Sequence, residues 1–397
     1  MATDGPASLT RSEGALRGRS ARRGGLILVI NPGSTSTKLA VFELPANSGG
    51  GRQAGRRRRP SRPELRCLDE RTIEHSAEEL KGFRRVADQE DFRAGLVDAY
   101  LAAVGVKAEG LSAVAGRGGL LRALPGGTYR VNAAMLRDLR EARHGEHASN
   151  LGAVLAARIA EGAGCPAFIV DPVVVDELAP EARLTGLPQI ARRSIFHALS
   201  QRAAARAACE RLGVRYERAH LVVAHLGGGI SVGAHRQGRV VEVNNALDGD
   251  GPFSPERAGT LPAGDLVRLV LAGEHRPEEL RKMLTGRGGL VAHLGTNSLL
   301  EVLDRAAKGD GRAQLVFDAL AYGVARAIAG AAAALGRAPQ AVVLAGAMAR
   351  SRKLVAVVRR RAGFLGPVMV FAGNLEMGAL AAGAARVLSG RERAGNY

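Results

Sequence analysis

At 397 residues the chain is long enough for two domains, each burying its own core, and its 46% apolar content is that of a globular protein. No apolar run approaches the ~20 residues that cross a bilayer, which argues against a membrane partner. The net charge of +18 invites a nucleic-acid reading. Half of it lies in two short segments without stacking aromatics, which argues against a dedicated nucleic-acid partner.

Residues 1–24 hold five arginines against Asp4 and Glu13, and residues 49–63 hold six arginines and no acid. Both read as disordered arms, a basic extension and a basic insert in a hairpin where added length costs little. Arg22-Arg23 faintly resembles a twin-arginine export signal, but the apolar stretch behind it is too short, while an organellar transit peptide stays open. Cys67, Cys165 and Cys209 are odd in number and lack metal-ligand spacing. They fit a reduced cytoplasm, with all three as small core residues.

The ordered chain is expected to begin near Gly25. Leu26–Ile30 has the length of one buried strand, and Asn31-Pro32-Gly33 stops it. Ser34, Thr35, Ser36 and Thr37 line the turn with hydroxyls, Lys38 adds a positive charge, and Leu39–Phe42 returns as a second strand. Such a tip offers N–H groups, hydroxyls and an ammonium to an anion, most plausibly phosphate; an ordinary polar hairpin is the bland alternative. Cys67–Glu74 follows as a strand, and Ser76-Ala-Glu-Glu79 is a capping box that opens a helix. Asp91–Leu101, Asn132–Arg143 and Ser149–Ala160 have helical spacing, with strands at Leu111–Ala115 and Ala167–Val170. His144, Glu146 and His147 are spaced wrongly for a helical zinc motif, and Glu146 and His147 read as loop packing near a cleft.

A second copy of the hairpin starts at Leu221. Leu221–His225 runs into Leu226-Gly-Gly-Gly-Ile-Ser231, returns through Val232, and continues as Arg239–Val243. Helices are expected over Ser194–Leu212, Gly264–Leu271, Glu278–Leu284, Leu315–Leu335, Leu354–Ala362 and Glu376–Leu388, with strands at Gln340–Gly346 and Val368–Phe371. A strand–turn–strand unit in each half predicts an α/β fold of two related lobes around a cleft, their phosphate-holding turns facing each other. The lobes are expected at 25–189 plus 366–397 and at 190–365. No Gly-x-x-x-x-Gly-Lys-Ser/Thr appears, which excludes a P-loop kinase.

The two hairpins and the glycine turn after Leu344 resemble the acetate and sugar kinase, heat-shock chaperone and actin superfamily. Within it the chain resembles the butyrate kinases. The segments that carry the likeness are Ile30–Lys38, Gly116–Arg122, Gly145–Gly152, Phe168–Glu177, Ser194–Ser200, Ala224–Gly233 and Asn244–Arg257. Acetate kinases are expected to carry a second histidine four places after His197, where this chain has Gln201.

The resemblance implies two ribonuclease H-like lobes and a cytoplasmic homo-oligomer. It implies direct in-line phosphoryl transfer from ATP to butyrate, reversibly, with ADP as product and Mg²⁺ as cofactor. A carboxylate is already ionised at neutral pH, so the work is positioning and charge neutralisation rather than base catalysis. By the same resemblance Asn31, Ser34, Ser36 and Lys38 surround phosphate and Mg²⁺, and Arg117 holds the substrate carboxylate. His197 and Arg257 stabilise the phosphoryl group in flight, and Asp171 and Glu376 hold the metal. His225 with Gly227, Gly228 and Gly229 embraces the nucleotide phosphates, and Gly346 accepts the adenosine. Ala347 stands where a second glycine is expected, which bears on the adenosine contacts. Isobutyrate or propionate is the close alternative substrate. A chaperone-like or filament-forming ATPase is the alternative of a different class.

Overall fold

The computed structural model describes residues 25–44 and 65–397. The basic extension and the basic insert, the export-signal likeness and the transit-peptide question lie outside these residues. The first sheet holds β1 (Leu26–Pro32), β2 (Ser36–Glu43), β3 (Arg66–Glu74), β4 (Leu111–Arg117), β5 (Thr128–Arg130) and β6 (Ala167–Val170). Its order is β3-β2-β1-β4-β6-β5. The first three strands form an antiparallel meander, and β4 and β6 then add in parallel.

The second sheet holds β7 (His220–Leu226), β8 (Ile230–Arg236), β9 (Arg239–Val243), β10 (Ala341–Gly346) and β11 (Val368–Ala372), in the order β11-β10-β7-β8-β9. It repeats the plan: an antiparallel meander of three, then two parallel strands beside the first. The internal repeat read from the two hairpins is therefore a repeat of whole sheets, giving the mixed α/β fold expected.

Period-two alternation decides which helices each sheet recruits. In β1, Leu28 and Ile30 pack with Leu151 and Leu155 of the helix Asn150–Ala163 on one face. Ile27 and Val29 pack with Met377, Leu380 and Ala381 of the helix Glu376–Leu388 on the other. In β7, Val222 and Ala224 face Leu320 and Val324 of the helix Gly311–Ala334, while Leu221 and Val223 face Ala204 and Ala208 of the helix Ala198–Leu212. By length and composition Gly311–Ala334 could cross a membrane, unlike the expectation from apolar runs, but half of its apolar window is buried inside the protein.

Three expectations need correction. Residues 366–372 were assigned to the first lobe, yet β11 pairs with β10 in the second sheet; the chain crosses back only between β11 and Glu376. The helix expected over Ser194–Leu212 starts at Ala198, leaving His197 at its cap position. The three cysteines are not all core: Cys67 is exposed on edge strand β3, Cys165 is half-buried, and only Cys209 is buried. The Ser76 capping box forms as read, with Glu79 reaching back to the Ser76 N–H.

A buried ion cluster joins the lobes. Arg202, on the Ala198–Leu212 helix, lies 2.7 Å from Asp171 at the end of β6 and 3.2 Å from Glu177, all three almost fully buried. Its Nε–H is not aimed along the line to Asp171, so that contact is ionic rather than a hydrogen bond. Nη1 donates to the Gly238 carbonyl at 3.0 Å. Removing one member of a buried charged set leaves the others uncompensated. Arg202→Ala should destabilise the protein by about 3–5 kcal/mol, read from denaturant midpoints. A change under ~1 kcal/mol would deny the cluster its structural part.

Candidate active site

The carboxyl ends of β1 and β4 carry the first-lobe groups. Asn31, buried at the end of β1, donates from Nδ2 to Glu376 Oε2 at 2.9 Å. Arg117, the last residue of β4, donates from Nη1 to the same oxygen at 3.0 Å and to Asn31 Oδ1 at 3.3 Å. The last helix thus begins with its carboxylate clamped between two strand ends. Close backbone packing sets Arg117: a Cβ on Gly116 would lie 2.0 Å from the Gly152 carbonyl, so the Asn150–Ala163 helix can approach only a bare β4. Ser34 is exposed and Ser36 and Lys38 half-buried at the first turn. Among the hydrogen bonds of the described residues their side chains have no partner, which leaves the hydroxyls and the ammonium open at the tip.

The second lobe contributes two histidines. The rings of His197 and His225 stack with centroids 4.0 Å apart and planes 14° from parallel. Burial holds His197 well below the ordinary histidine value, and His225, Arg257 and Arg117 reinforce the shift. Burial lowers His225 to about 4, opposed by Glu376 and reinforced by Arg117. Arg117, Glu376 and His197 line one small cavity, and His225 stacks on His197 beside it. Both imidazoles are neutral at pH 7. Local desolvation and then Arg117 lower His147, whose side chain is nonetheless exposed, with Nδ1 2.8 Å from Ser149 Oγ. Glu146, also exposed, accepts from the Val86 N–H at 2.8 Å.

The glycine turn Gly227–Gly229 is shaped by its neighbours. A Cβ on Gly229 would collide with Arg257 Nη1, so the guanidinium lies against bare backbone. Ser254 Oγ donates to the Gly228 carbonyl at 2.6 Å, and Asn244 braces the turn through Val232 N–H and the Ile230 carbonyl. Burial lowers Arg257, opposed by Glu256. Its Nε and the Nδ1 of His225 are buried without a hydrogen-bond partner. Buried polar atoms left unpaired are costly, so two of them in one crevice mark places where a polar ligand would be accepted.

Three of the expected residues, Gly346, Asp171 and Glu376, already answer to constraints within the protein. Gly346 has φ 90°, and a Cβ there would lie 2.4 Å from the Leu226 carbonyl; the junction of β10 with β7 already demands glycine, whatever binds nearby. Asp171 and Glu376 line one small cavity together with Arg117, His197, Val170 and Phe196. Each is already engaged, however, Asp171 by Arg202 and the Gly127 N–H, Glu376 by Arg117 and Asn31. Among the described residues no group of three or more His, Cys, Asp or Glu side chains forms a ready metal cluster. The donor set is still oxygen-rich and carboxylate-based. It fits a hard cation that takes one or two carboxylates and fills its shell with phosphate and water. Sequence reasoning passed over Ser231, which touches His197, and Arg202, which holds Asp171. Serine in a glycine turn and arginine in an alanine-rich helix carry no distinctive signal.

Buried neutral histidines make the fold acid-labile. His225 titrates near 4 and His235, fully buried, near 3, whereas an unfolded histidine titrates near 6.5. Between those values the unfolded chain binds more protons, so stability is fully present above about pH 6.5 and is lost as pH falls toward 4. At pH 5 each such histidine should cost on the order of 2 kcal/mol. Urea midpoints measured from pH 7.5 to 5 should fall, with the loss shallower in His235→Phe; a midpoint constant over that range would contradict the assignment.

The acetokinase family profile matches residues 174–374, half of the chain. The structure is similar to acetate kinase from Porphyromonas gingivalis (TM-score 0.69, 18% identity, 92% of this chain and 100% of that one). It is also similar to a propionate kinase from Francisella tularensis subsp. tularensis SCHU S4 (TM-score 0.65, 18% identity, 90% and 98%). A third likeness is to acetate kinase from Entamoeba histolytica (TM-score 0.66, 15% identity, 91% and 99%). At these identities the structural likenesses speak for the fold, and the profile speaks for descent: the chain belongs to the acetokinase family of ATP-dependent carboxylate kinases.

Proposed function

We propose that this carboxylate kinase phosphorylates a short-chain acid, with butyrate as the preferred acceptor. The observation that carries the reading is the convergence on one crevice of Arg117, Arg257 and two neutral imidazoles beside an apolar wall. Val170, Pro172, Val173, Phe196 and Leu199 form that wall. A guanidinium next to aliphatic side chains suits a carboxylate with a short hydrocarbon tail. Phosphoryl transfer to a carboxylate needs no nucleophile–base pair, because the acid arrives already ionised.

In the reaction one carboxylate oxygen forms a bond to the γ-phosphorus of ATP. The bond from that phosphorus to the bridging oxygen breaks, and its electron pair leaves on ADP. Arg117 would orient the acid, releasing Glu376 to do so. The cavity between these groups is about 20 Å³, room for about one water, so the acid enters only when the pair parts or the lobes open. Arg257 and the His197 N–H would meet the charge that develops on the transferring oxygens, a role that preorganised donors fill at no reorganisation cost. His225 and the Gly227–Gly229 turn would face the nucleotide phosphates, as would Asn31, Ser34, Ser36 and Lys38 from the other lobe, and Gly346 would lie beside the adenosine. Glu376 would hold Mg²⁺, with Asp171 behind it. Bound there, the ion would neutralise phosphate charge. The setting proposed for the enzyme is a homo-oligomer in the cytoplasm.

The likeness to a propionate kinase keeps propionate and isobutyrate as competitors, since one methylene in an apolar pocket is worth only ~1–3 kcal/mol. An acyl-hydroxamate assay with ATP, Mg²⁺ and acids of C2 to C6 decides between them: butyrate should give the highest kcat/KM, and a maximum at acetate would reject the assignment. Arg117→Ala and His197→Ala should each lower kcat about 10²–10³-fold with the fold intact by circular dichroism. Near-normal turnover in both would reject the site.

A further inference from the structure

Behind His197 runs a chain of buried side chains whose hydrogen bonds have only one consistent direction. Gln201 Nε2 lies 3.0 Å from the Ser231 carbonyl, which can only accept, so the amide nitrogen faces Ser231 and Oε1 faces His235. Oε1 also only accepts. The His235 Nε2, 3.0 Å away, therefore carries the hydrogen. Buried and neutral, His235 then has a bare Nδ1, which accepts from the Tyr216 hydroxyl at 2.9 Å. At the other end Gln201 Nε2 donates to Ser231 Oγ at 2.8 Å, and the His197 backbone N–H approaches the same oxygen at 3.4 Å. The single Ser231 hydrogen is left to point at His197 Nδ1, 2.9 Å away. A hydrogen on Nδ1 instead would give Ser231 Oγ three donors and leave its own hydrogen without an acceptor.

We propose that Ser231 and Gln201, backed by His235 and Tyr216, are positioning residues that lock His197 as the Nε2–H tautomer, aiming a fixed donor into the crevice. Stacking on His225 holds the ring plane, and the chain decides which nitrogen bears the proton. Gly233 belongs to the device: a Cβ there would come within 2.7 Å of Gln201 Oε1. Gln201 thus acts as a two-headed spacer, accepting on one side and donating on the other. The inference rests on the proposed function only for what the donor serves; the tautomer stands apart from it.

The test is histidine ¹⁵N correlation spectroscopy on the full-length protein, with the His197 signals assigned by their loss in His197→Gln. Wild type should show a bare Nδ1 and a protonated Nε2 at neutral pH. Ser231→Ala, which leaves Gln201 its bond to the residue 231 carbonyl, should move His197 to a tautomer mixture. It should lower kcat about 10–100-fold with KM for ATP little changed, the cost usual for losing an orienting partner. Ser231→Thr, which keeps the hydroxyl, should restore both. Gln201→Leu provides an independent break in the chain and should shift the tautomer in the same sense. A wild-type His197 protonated on Nδ1, or a tautomer unmoved in both Ser231→Ala and Gln201→Leu, would overturn the proposal. Loss of carboxylate kinase activity as the correct reading would show in the wild-type hydroxamate assay and leave the tautomer result standing.

Discussion

The structure depends on a charged cluster that should be costly on its own. Arg202, Asp171 and Glu177 are withdrawn from water at the seam between the lobes, where hydrophobic packing of similar volume could serve as well. What the cluster adds is direction. It fixes the end of β6 against the first turns of the Ala198–Leu212 helix, and His197 stands at the position just before that helix. A seam of interchangeable aliphatics could slide; one made of a guanidinium between two carboxylates has a single register. The position of His197 relative to Arg117 follows from that register.

Desolvation then does the electrostatic work of the crevice. The same burial that makes the imidazoles poor bases makes them reliable N–H donors, because neither gains a proton near neutral pH. That suits an acceptor that arrives already ionised. Arg117 and Arg257 supply the positive charge, and Glu376 shields Arg117 in the resting arrangement. The orphaned nitrogens of His225 and Arg257 mark where the protein has spent stability to leave hydrogen-bonding capacity open.

Much of this was legible in the chain itself. The two hairpins, the glycine turns and the alternation of apolar residues within β1 and β7 are local signals, and they led to the repeated sheet; Arg117, His197, Arg257, Asp171 and Glu376 came from the family resemblance. Arg117 was readable through the glycine-flanked segment Gly116–Arg122, one of those that carry the family resemblance. Ser231, Gln201, His235 and Arg202 were not readable as a group. Their contacts join positions far apart in sequence, and each residue type has an ordinary local explanation. Gly346 was read as an opening for a ligand; the carbonyl of a neighbouring strand also demands glycine there, which no local pattern announces.

By itself the sequence determined the elements, the doubled strand–turn–strand plan and the chemical types gathered at the turns, because hydrophobic period and glycine placement act over a few residues. Only the tertiary structure decided that β11 stays with the second sheet, that Glu376 is held by Arg117, and that a hydroxyl and an amide dictate the proton on His197. Those outcomes depend on burial and on the direction of hydrogen bonds between distant segments. Both quantities come into being only when those segments pack.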